Sequence, residues 1–167
     1  MRETIMCGII GYTGKGKAAK IMLDALELLE YRGYDSAGIA LLSRGVTQIV
    51  KAAGRVKDLR RLCEEKKPEG QCGIGHTRWA THGGVCDENA HPHRFGNVTL
   101  IHNGIIENYR ELIEKYSLEG QLKSETDSEV VAAVLEHFYS GDPYSAIRRT
   151  VLKLKGTFAF AIMFDDQ

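Results

Sequence analysis

The sequence has no excess of charge of either sign and no long apolar run. Lysine plus arginine and aspartate plus glutamate each count 22, so the formal net charge is zero. A balanced chain has no overall field that would attract nucleic acid or an anionic membrane. No apolar stretch approaches the roughly 20 residues of a membrane span. We therefore expect neither a nucleic-acid partner nor a membrane partner.

Cysteine is sparse, and its spacing gives no metal or disulfide framework. The four cysteines form no CxxC pair, which favours reduced thiols in a cytoplasmic protein. A zinc site remains an open alternative, although no pair has the spacing of a zinc finger or of HExxH. Its candidate ligands are Cys86, His76, His82, His91 and His93. The main expectation is no metal and no cofactor.

What is present is the composition of one globular domain. The 167 residues are 43% hydrophobic and 26% charged, which suffices for a single buried core. Apolar periodicity predicts a mixed α/β chain with at least six strand-like runs. The predicted strands are 7–13, 37–43, 46–53, one that opens the stretch 73–84, 98–106 and 157–164. The predicted helices are 18–31, 55–66, one after 105, one from 126 and 143–155.

Cys7 follows a methionine and opens an apolar strand. If translation began at Met6 and the methionine were removed, Cys7 would carry a thiol and a free α-amine on one residue. The alternative is a small buried cysteine of a first strand. We expect residues 1–6 to be an extension or leader, because an α-amine held in a peptide bond cannot act as a base.

Three polar positions stand out further along the chain. Arg78 lies in a glycine-rich loop and suits a carboxylate, or it is a solvated surface arginine. The pair Asn103-Gly104 favours a hairpin turn, but the apolar spacing after it predicts a turn into a helix capped by Asn108, with polar groups free as in an oxyanion hole. Asp127 begins a helix with a capping box, and it either complements the helix dipole or anchors a ligand ammonium.

The stretch from Gly11 to Ala18 fits GxxxxGK between a strand and a helix. With Asp165 and Asp166 after the last apolar strand, it makes a nucleotide-binding loop an alternative. Ala18, however, stands where a Ser or Thr hydroxyl would reach magnesium.

Six short motifs occur in order and with sensible spacing from Met6 almost to the end of the chain. In this pattern the sequence resembles the glutaminase domain of the glutamine–fructose-6-phosphate transaminases (glucosamine-6-phosphate synthases), which are class II glutamine amidotransferases with the N-terminal-nucleophile hydrolase fold. The motifs are Met6-Cys7-Gly8-Ile9, Leu29 to Gly38, His76 to Gly83, Ala90-His91-Pro92-His93, His102 to Asn108 and Ser124-Glu125-Thr126-Asp127.

The resemblance implies a fold and a set of roles. The fold would be a four-layer αββα sandwich over residues 7–167. Cys7 would attack the glutamine side-chain amide with its own α-amine as base, and Asn103 with Gly104 would stabilise the oxyanion. The other implied roles are the α-carboxylate at Arg78, the α-ammonium at Asp127, loop closure by Thr81 and His82, ammonia gating by Trp79 and support of the nucleophile by Arg32.

The resemblance also implies partners. The substrate would be L-glutamine, and ammonia would pass to sugar-phosphate isomerase domains that this chain lacks. The full-length enzyme is expected to be a homodimer and the isolated domain a monomer. A catalytically inactive module that keeps the fold is the remaining alternative.

The first prediction concerns the N-terminus. A chain whose intact mass begins at Cys7 should gain one stoichiometric adduct from an electrophilic glutamine analogue, because its thiol has a base. A chain that retains residues 1–6 should gain none. If the Cys7-terminal chain stays unlabelled, the glutaminase interpretation is wrong.

Overall fold

The computed structural model describes residues 7–79 and 84–166. The strands are β1 (Gly8–Thr13), β2 (Ser36–Ser43), β3 (Val46–Ala53), β4 (Cys72–Arg78), β5 (His93–Phe95), β6 (Val98–Ile106) and β7 (Gly156–Phe164). The helices are α1 (Ala18–Leu29), α2 (Val56–Lys66), α3 (Tyr109–Lys115), α4 (Asp127–Phe138) and α5 (Pro143–Val151), with a 3-10 turn at Glu30–Arg32.

The strands form two antiparallel sheets that pack face to face. The first has the order β1-β4-β2-β3 and the second the order β5-β6-β7. Helices α1 and α2 cover the outer face of the first sheet, and α3, α4 and α5 cover the outer face of the second. This αββα arrangement confirms the expected fold class.

Three apolar clusters fill the spaces between the four layers. One lies under α1 and α2 and centres on Met22, Leu26 and Leu59, all fully buried. The largest lies between the second sheet and α4. The third, between the two sheets, is small: its buried members are Ala40, Ile74, Ile101 and Met163. The sheets can therefore approach closely along β4 and β6.

Helix α1 is less buried than its sequence predicts. Its inner face is Ala18, Met22, Leu23 and Leu26, but Leu28 is 77% exposed and Ile21 is 40% exposed. One sheet covers one side of a helix only, so the outer leucine and isoleucine remain at the surface. The helix also ends two residues earlier than expected, where the 3-10 turn begins.

The hairpin between β2 and β3 is confirmed. Arg44 and Gly45 both have positive φ, as a two-residue type I′ turn requires. On α2, Arg61 pairs with Glu65 one helical turn further on, whereas Arg60 bonds Asp24 and Glu27 of α1. The guanidinium of Arg60 thus links the two helices.

The predicted turn at Asn103-Gly104 is wrong. Both residues lie within β6, paired with Ala159 and Phe158 of β7, so tertiary pairing overrides the local turn preference. Gly104 has a φ of 133°, and a Cβ there would overlap the carbonyl oxygen of Thr157. Glycine is therefore required at this point of the strand.

The two predicted helix caps have different outcomes. Asn108 does not cap α3; its side chain accepts from Lys155 N and donates to the Lys153 carbonyl, which fixes the loop before β7. Thr126 does cap α4, because its hydroxyl accepts the Glu129 N–H. The Glu129 carboxylate, however, accepts from the preceding loop instead of closing a capping box.

Helix α5 ends at Val151, four residues before the predicted end. Among the helices of the described segments, none is both long and apolar enough to cross a membrane.

The second prediction uses two glycines of the first sheet. A Cβ at Gly38 of β2 would overlap the carbonyl oxygen of His91, whereas one at Gly11 of β1 would meet nothing within 4 Å. We expect Gly38→Ala to lower the free energy of unfolding by about 1–3 kcal/mol through overpacking. Gly11→Ala should be neutral or slightly stabilising. Urea unfolding measures both, and equal stabilities would contradict the close approach at Gly38.

Candidate active site

Six separate segments meet at one end of the layer between the sheets. The residue before β1, the end of β4, the second half of β6 and the start of α4 line a cavity of 540 Å³, together with His91 and the start of β7. The lining residues of these segments include Cys7, Arg78, Trp79, Asn103, Gly104, Thr126, Asp127 and Ser128. Every residue predicted for catalysis is therefore brought to one cavity, together with two of the substrate-binding residues.

The alternation of side chains along β4 directs its polar residues toward the cavity. Gly73 and Gly75 face α1, where a Cβ would contact Met22. The intervening Ile74 packs between the sheets. Because successive strand residues point to opposite faces, His76 and Arg78 continue the inner face of Ile74.

Cys7 lies beside the backbone of Trp79. The Trp79 N–H donates to Cys7 Sγ at 3.2 Å, and the Asn103 Nδ2 donates to the Cys7 carbonyl oxygen at 2.7 Å. Burial raises the pKa of the Cys7 thiol, and the Trp79 N–H and the Arg78 charge offset this only in part. At neutral pH the side chain is a thiol and needs a base before it can act as a nucleophile.

Arg78 is almost fully buried, with 4% of its surface exposed. Its Nη1 donates to the Gly84 carbonyl oxygen at 3.2 Å, and the Asn89 amide donates to the same oxygen at 3.1 Å. Asn89 Oδ1 in turn accepts the Glu125 N–H at 2.9 Å. This chain of bonds ties the arginine to the loop before α4, and excludes the interpretation of a solvated surface arginine.

Asp127 is a buried carboxylate at the cavity wall. It is 7% exposed, and its Oδ2 accepts the Ile106 N–H at 2.8 Å. The Ser128 hydroxyl lies 3.4 Å from Oδ1. A carboxylate in the first turn is favoured by the helix dipole. It also gives the cavity a negative group to complement Arg78.

Four buried histidines form a cluster beside the cavity, and two of them, His91 and His102, line it. The rings of His76 and His91 lie 4.2 Å apart, and those of His91 and His93 lie 4.6 Å apart. His91 Nε2 and His102 Nδ1 each lie 2.9 Å from the Ser128 hydroxyl. Burial lowers the pKa of every one of these rings, to about 4 for His76, so they are neutral near pH 7.

The histidine cluster has hydrogen-bonding partners of its own. His93 bonds the Thr126 hydroxyl at 3.0 Å, and His76 bonds β6. Across residues 7–79 and 84–166, no group of three or more His, Cys, Asp or Glu side chains could hold a metal ion. Of the zinc candidates, His82 lies outside these residues.

Two glycine N–H groups of the loop before α1 already have acceptors within the chain. The Gly16 N–H donates to the Tyr12 hydroxyl, and the Gly14 N–H donates to the Gln71 carbonyl. At the other end, Asp165 is paired with Arg94 and Asp166 with Tyr139. These internal bonds disfavour the nucleotide-binding alternative.

Comparison with known proteins agrees with this geometry. A family model described as a glutamine amidotransferase domain matches residues 76–167, which is more than half of the chain. The chain belongs to the glutamine amidotransferase family.

Individual relatives define the similarity further. The chain is 52% identical over 161 residues to a glutamine–fructose-6-phosphate aminotransferase (isomerizing) of Aquifex aeolicus, and 48% identical over 165 residues to the one of Bacillus subtilis. The alignments cover 95% and 96% of this chain but 27% of each relative. This chain thus spans about a quarter of the length of these curated relatives, and the expected resemblance is confirmed.

Solved structures share the fold. The glutamine phosphoribosylpyrophosphate amidotransferase of B. subtilis, complexed with ADP and GMP, superposes with a TM-score of 0.81 at 28% identity. A structure described as the allosteric regulatory enzyme of purine biosynthesis gives 0.82 at 29% identity. Each match covers 94% of this chain and 35% of the other.

The remaining predicted site residues of the amidotransferase domain have different placements. Trp79 lines the cavity, and its ring packs edge-on against Tyr34 at 5.1 Å. Arg32 lies half-buried in the 3-10 turn and does not line the cavity. Thr81 and His82 fall in residues 80–83, outside the part of the chain described here.

Sequence reasoning missed the contribution of His76 and Ser128. His76 was named as a zinc candidate and as the start of one motif but was given no role in the site, and Ser128 was not singled out at all. The signal for His76 was its spacing of two from Arg78, which puts both on one face of a strand. Ser128 lies next to Asp127, but its bonds to His91 and His102 depend on tertiary packing that no local pattern contains.

The third prediction concerns pH and stability. The unfolded chain protonates histidine near pH 6.5, whereas the buried rings of the folded state have lowered pKa values. Protons then favour the unfolded state, so the free energy of unfolding should fall as pH drops from about 6.5 to 5, by up to about 1.4 kcal/mol per pH unit for each ring.

Two variants identify the source of this pH dependence. His93→Gln removes one buried ring and should make the fall in stability shallower. His137→Gln removes an exposed histidine of α4 and should leave it unchanged. Urea unfolding across this pH range measures both, and an unchanged slope in His93→Gln would contradict the assignment.

Proposed function

We propose that this domain hydrolyses the side-chain amide of L-glutamine to glutamate and ammonia through a thioester on Cys7. The observation that supports this most is the single cavity that joins Cys7 and Asn103 to two buried groups of opposite charge, Arg78 and Asp127. Family membership supports the same chemistry.

Recognition of glutamine follows from the two charges. The substrate is zwitterionic at its α-carbon, so a site that binds this end needs one cation and one anion. The guanidinium of Arg78 offers a planar pair of donors to the α-carboxylate. The Asp127 carboxylate, held by the Ile106 N–H, accepts from the α-ammonium. Both are buried, which strengthens these interactions relative to water.

The chemical step places charge on the amide oxygen. Cys7 Sγ attacks the amide carbon, and the thiol proton passes to the α-amine of Cys7. The resulting oxyanion accepts from Asn103 Nδ2 and the Gly104 N–H. Collapse of this intermediate breaks the C–N bond, and the α-amine returns the proton to the leaving ammonia. Water then cleaves the thioester, which releases glutamate and restores the thiol.

This role of the α-amine requires that Cys7 be the first residue. The proposal therefore includes loss of residues 1–6, through initiation at Met6 or through processing.

The relatives suggest where the ammonia goes. Their names describe an isomerizing aminotransferase that acts on fructose 6-phosphate, and this chain spans 27% of their length. We propose that sugar-phosphate isomerase domains of the same full-length enzyme use the ammonia to make glucosamine 6-phosphate in the cytoplasm. In that enzyme, expected to be a homodimer, Trp79 would gate ammonia passage, Thr81 and His82 would close over glutamine, and Arg32 would support the nucleophile. The isolated domain would be a monomer that hydrolyses glutamine only.

The fourth prediction tests substrate recognition. Arg78→Lys keeps the charge but loses the planar fork, so we expect KM for glutamine to rise at least about tenfold. Asp127→Asn should also raise KM, because it removes the anion that faces the ammonium. Glutamate release by the chain beginning at Cys7 measures both.

The matched control is Arg61→Lys, the same exchange at an exposed arginine of α2 paired with Glu65. It should leave KM and kcat unchanged. Glutamine turnover that is insensitive to Arg78→Lys would refute the assignment of the α-carboxylate site.

A further inference from the structure

One ring nitrogen of His76 contacts two atoms of β6. The Nε2 lies 3.1 Å from the His102 carbonyl oxygen and 2.9 Å from the Asn103 Oδ1. His76 is 1% exposed, so water has little access to either contact. This is a bridge between the two sheets, from β4 to β6.

The bridge determines which way the Asn103 amide points. A carbonyl oxygen can only accept, so the contact with His102 requires a hydrogen on Nε2. A donating Nε2 requires an acceptor on Asn103, and this must be Oδ1. The Nδ2 then points away from the His76 ring, and it does donate to the Cys7 carbonyl at 2.7 Å.

We propose that His76 is a positioning residue for glutamine hydrolysis, in which its Nε2–H holds the Asn103 amide with Nδ2 toward the reacting atoms at Cys7. This inference rests on the proposed function. A reversed amide would present Oδ1 to the developing oxyanion and would repel it. The reversed amide would also set its NH2 against the Nε2–H, donor against donor, so the bridge disfavours it.

The surroundings of His76 keep this arrangement stable near neutral pH. Burial, with smaller contributions from the nearby His102 ring and Arg78, lowers its pKa to about 4, and the hydrogen bonds to Asn103 and to the His102 carbonyl offset this only in part. The other ring nitrogen, Nδ1, is buried without a hydrogen-bond partner in the described structure, and the His91 ring lies 4.2 Å away. Since Nε2 already carries the only ring proton, the neutral tautomer and the bond to Asn103 are fixed together.

The first test is kinetic. His76→Gln can place an amide nitrogen where Nε2 lies, whereas His76→Leu has no donor and His76→Asn is too short to reach Asn103. We expect His76→Leu and His76→Asn to lower kcat by about ten- to a hundredfold, with KM for glutamine within about threefold, because the oxyanion donor acts in the transition state. His76→Gln should recover most of kcat.

A double-mutant cycle separates positioning from a structural effect. If His76 acts through Asn103, then His76→Asn in an Asn103→Ala background should cause no further loss of kcat. A loss equal to that in the wild-type background would overturn the proposal. So would a wild-type kcat in both His76→Leu and His76→Asn. Using the polar His76→Asn keeps the cycle informative if the leucine variant does not fold.

The outcomes distinguish the two proposals. A chain beginning at Cys7 that releases no glutamate, or that loses nothing on Asn103→Ala, refutes the proposed function. An active chain that needs Asn103 but tolerates loss of the His76 donor refutes only the positioning role.

A spectroscopic measurement tests the bridge without kinetics. In NMR spectra of the protein with nitrogen-15-labelled histidine, His76 should show a protonated Nε2 and an unprotonated Nδ1 between about pH 6 and 8. The opposite tautomer would overturn the proposal. His93→Gln is the matched control for assigning the signals. It removes a histidine that is buried in the same cluster but bonds Thr126, so the signals of His76 should remain.

Discussion

The close approach of the two sheets along β4 and β6 is the constraint on which the site depends. The apolar layer between them is thin, and it ends where Ile74 gives way to His76 and Arg78. A polar group buried there costs free energy unless it is hydrogen-bonded. The histidine bonds β6 and the arginine bonds Gly84, so the groups that satisfy these two side chains also fix the cavity wall.

Much of the fold follows from local pattern. The β2–β3 hairpin, the α1 and α2 segments and the capped start of α4 all carry signals within about a dozen residues. The order β1-β4-β2-β3 does not, because it depends on which strands bury each other's faces. The turn expected at Asn103-Gly104 fails for the same reason: its local preference is weaker than nine paired positions between β6 and β7.

The sequence likewise identifies some residues of the candidate site and misses others. Residue type and motif single out Cys7, Arg78 and Asp127, since a thiol and two opposite charges suit an amide attached to a zwitterion. That these residues face one cavity is a tertiary fact that only the motif resemblance anticipated. The roles of Ser128 and His76 follow from distances across the sheets. Both side chains bond other residues of the protein, so their residue types do not indicate a substrate group that they would bind.

The electrostatics of the cavity bear on where the catalytic proton goes. Burial raises the pKa of the Cys7 thiol, so a base must remove its proton. In the described structure Sγ contacts the backbone of Trp79, whose N–H cannot accept a proton and whose carbonyl is too weak a base. The buried histidines have lowered pKa values and bond Asn103, Ser128 or Thr126 instead. In the proposed mechanism the α-amine of Cys7 itself is the base, so no second side chain has to accept the proton.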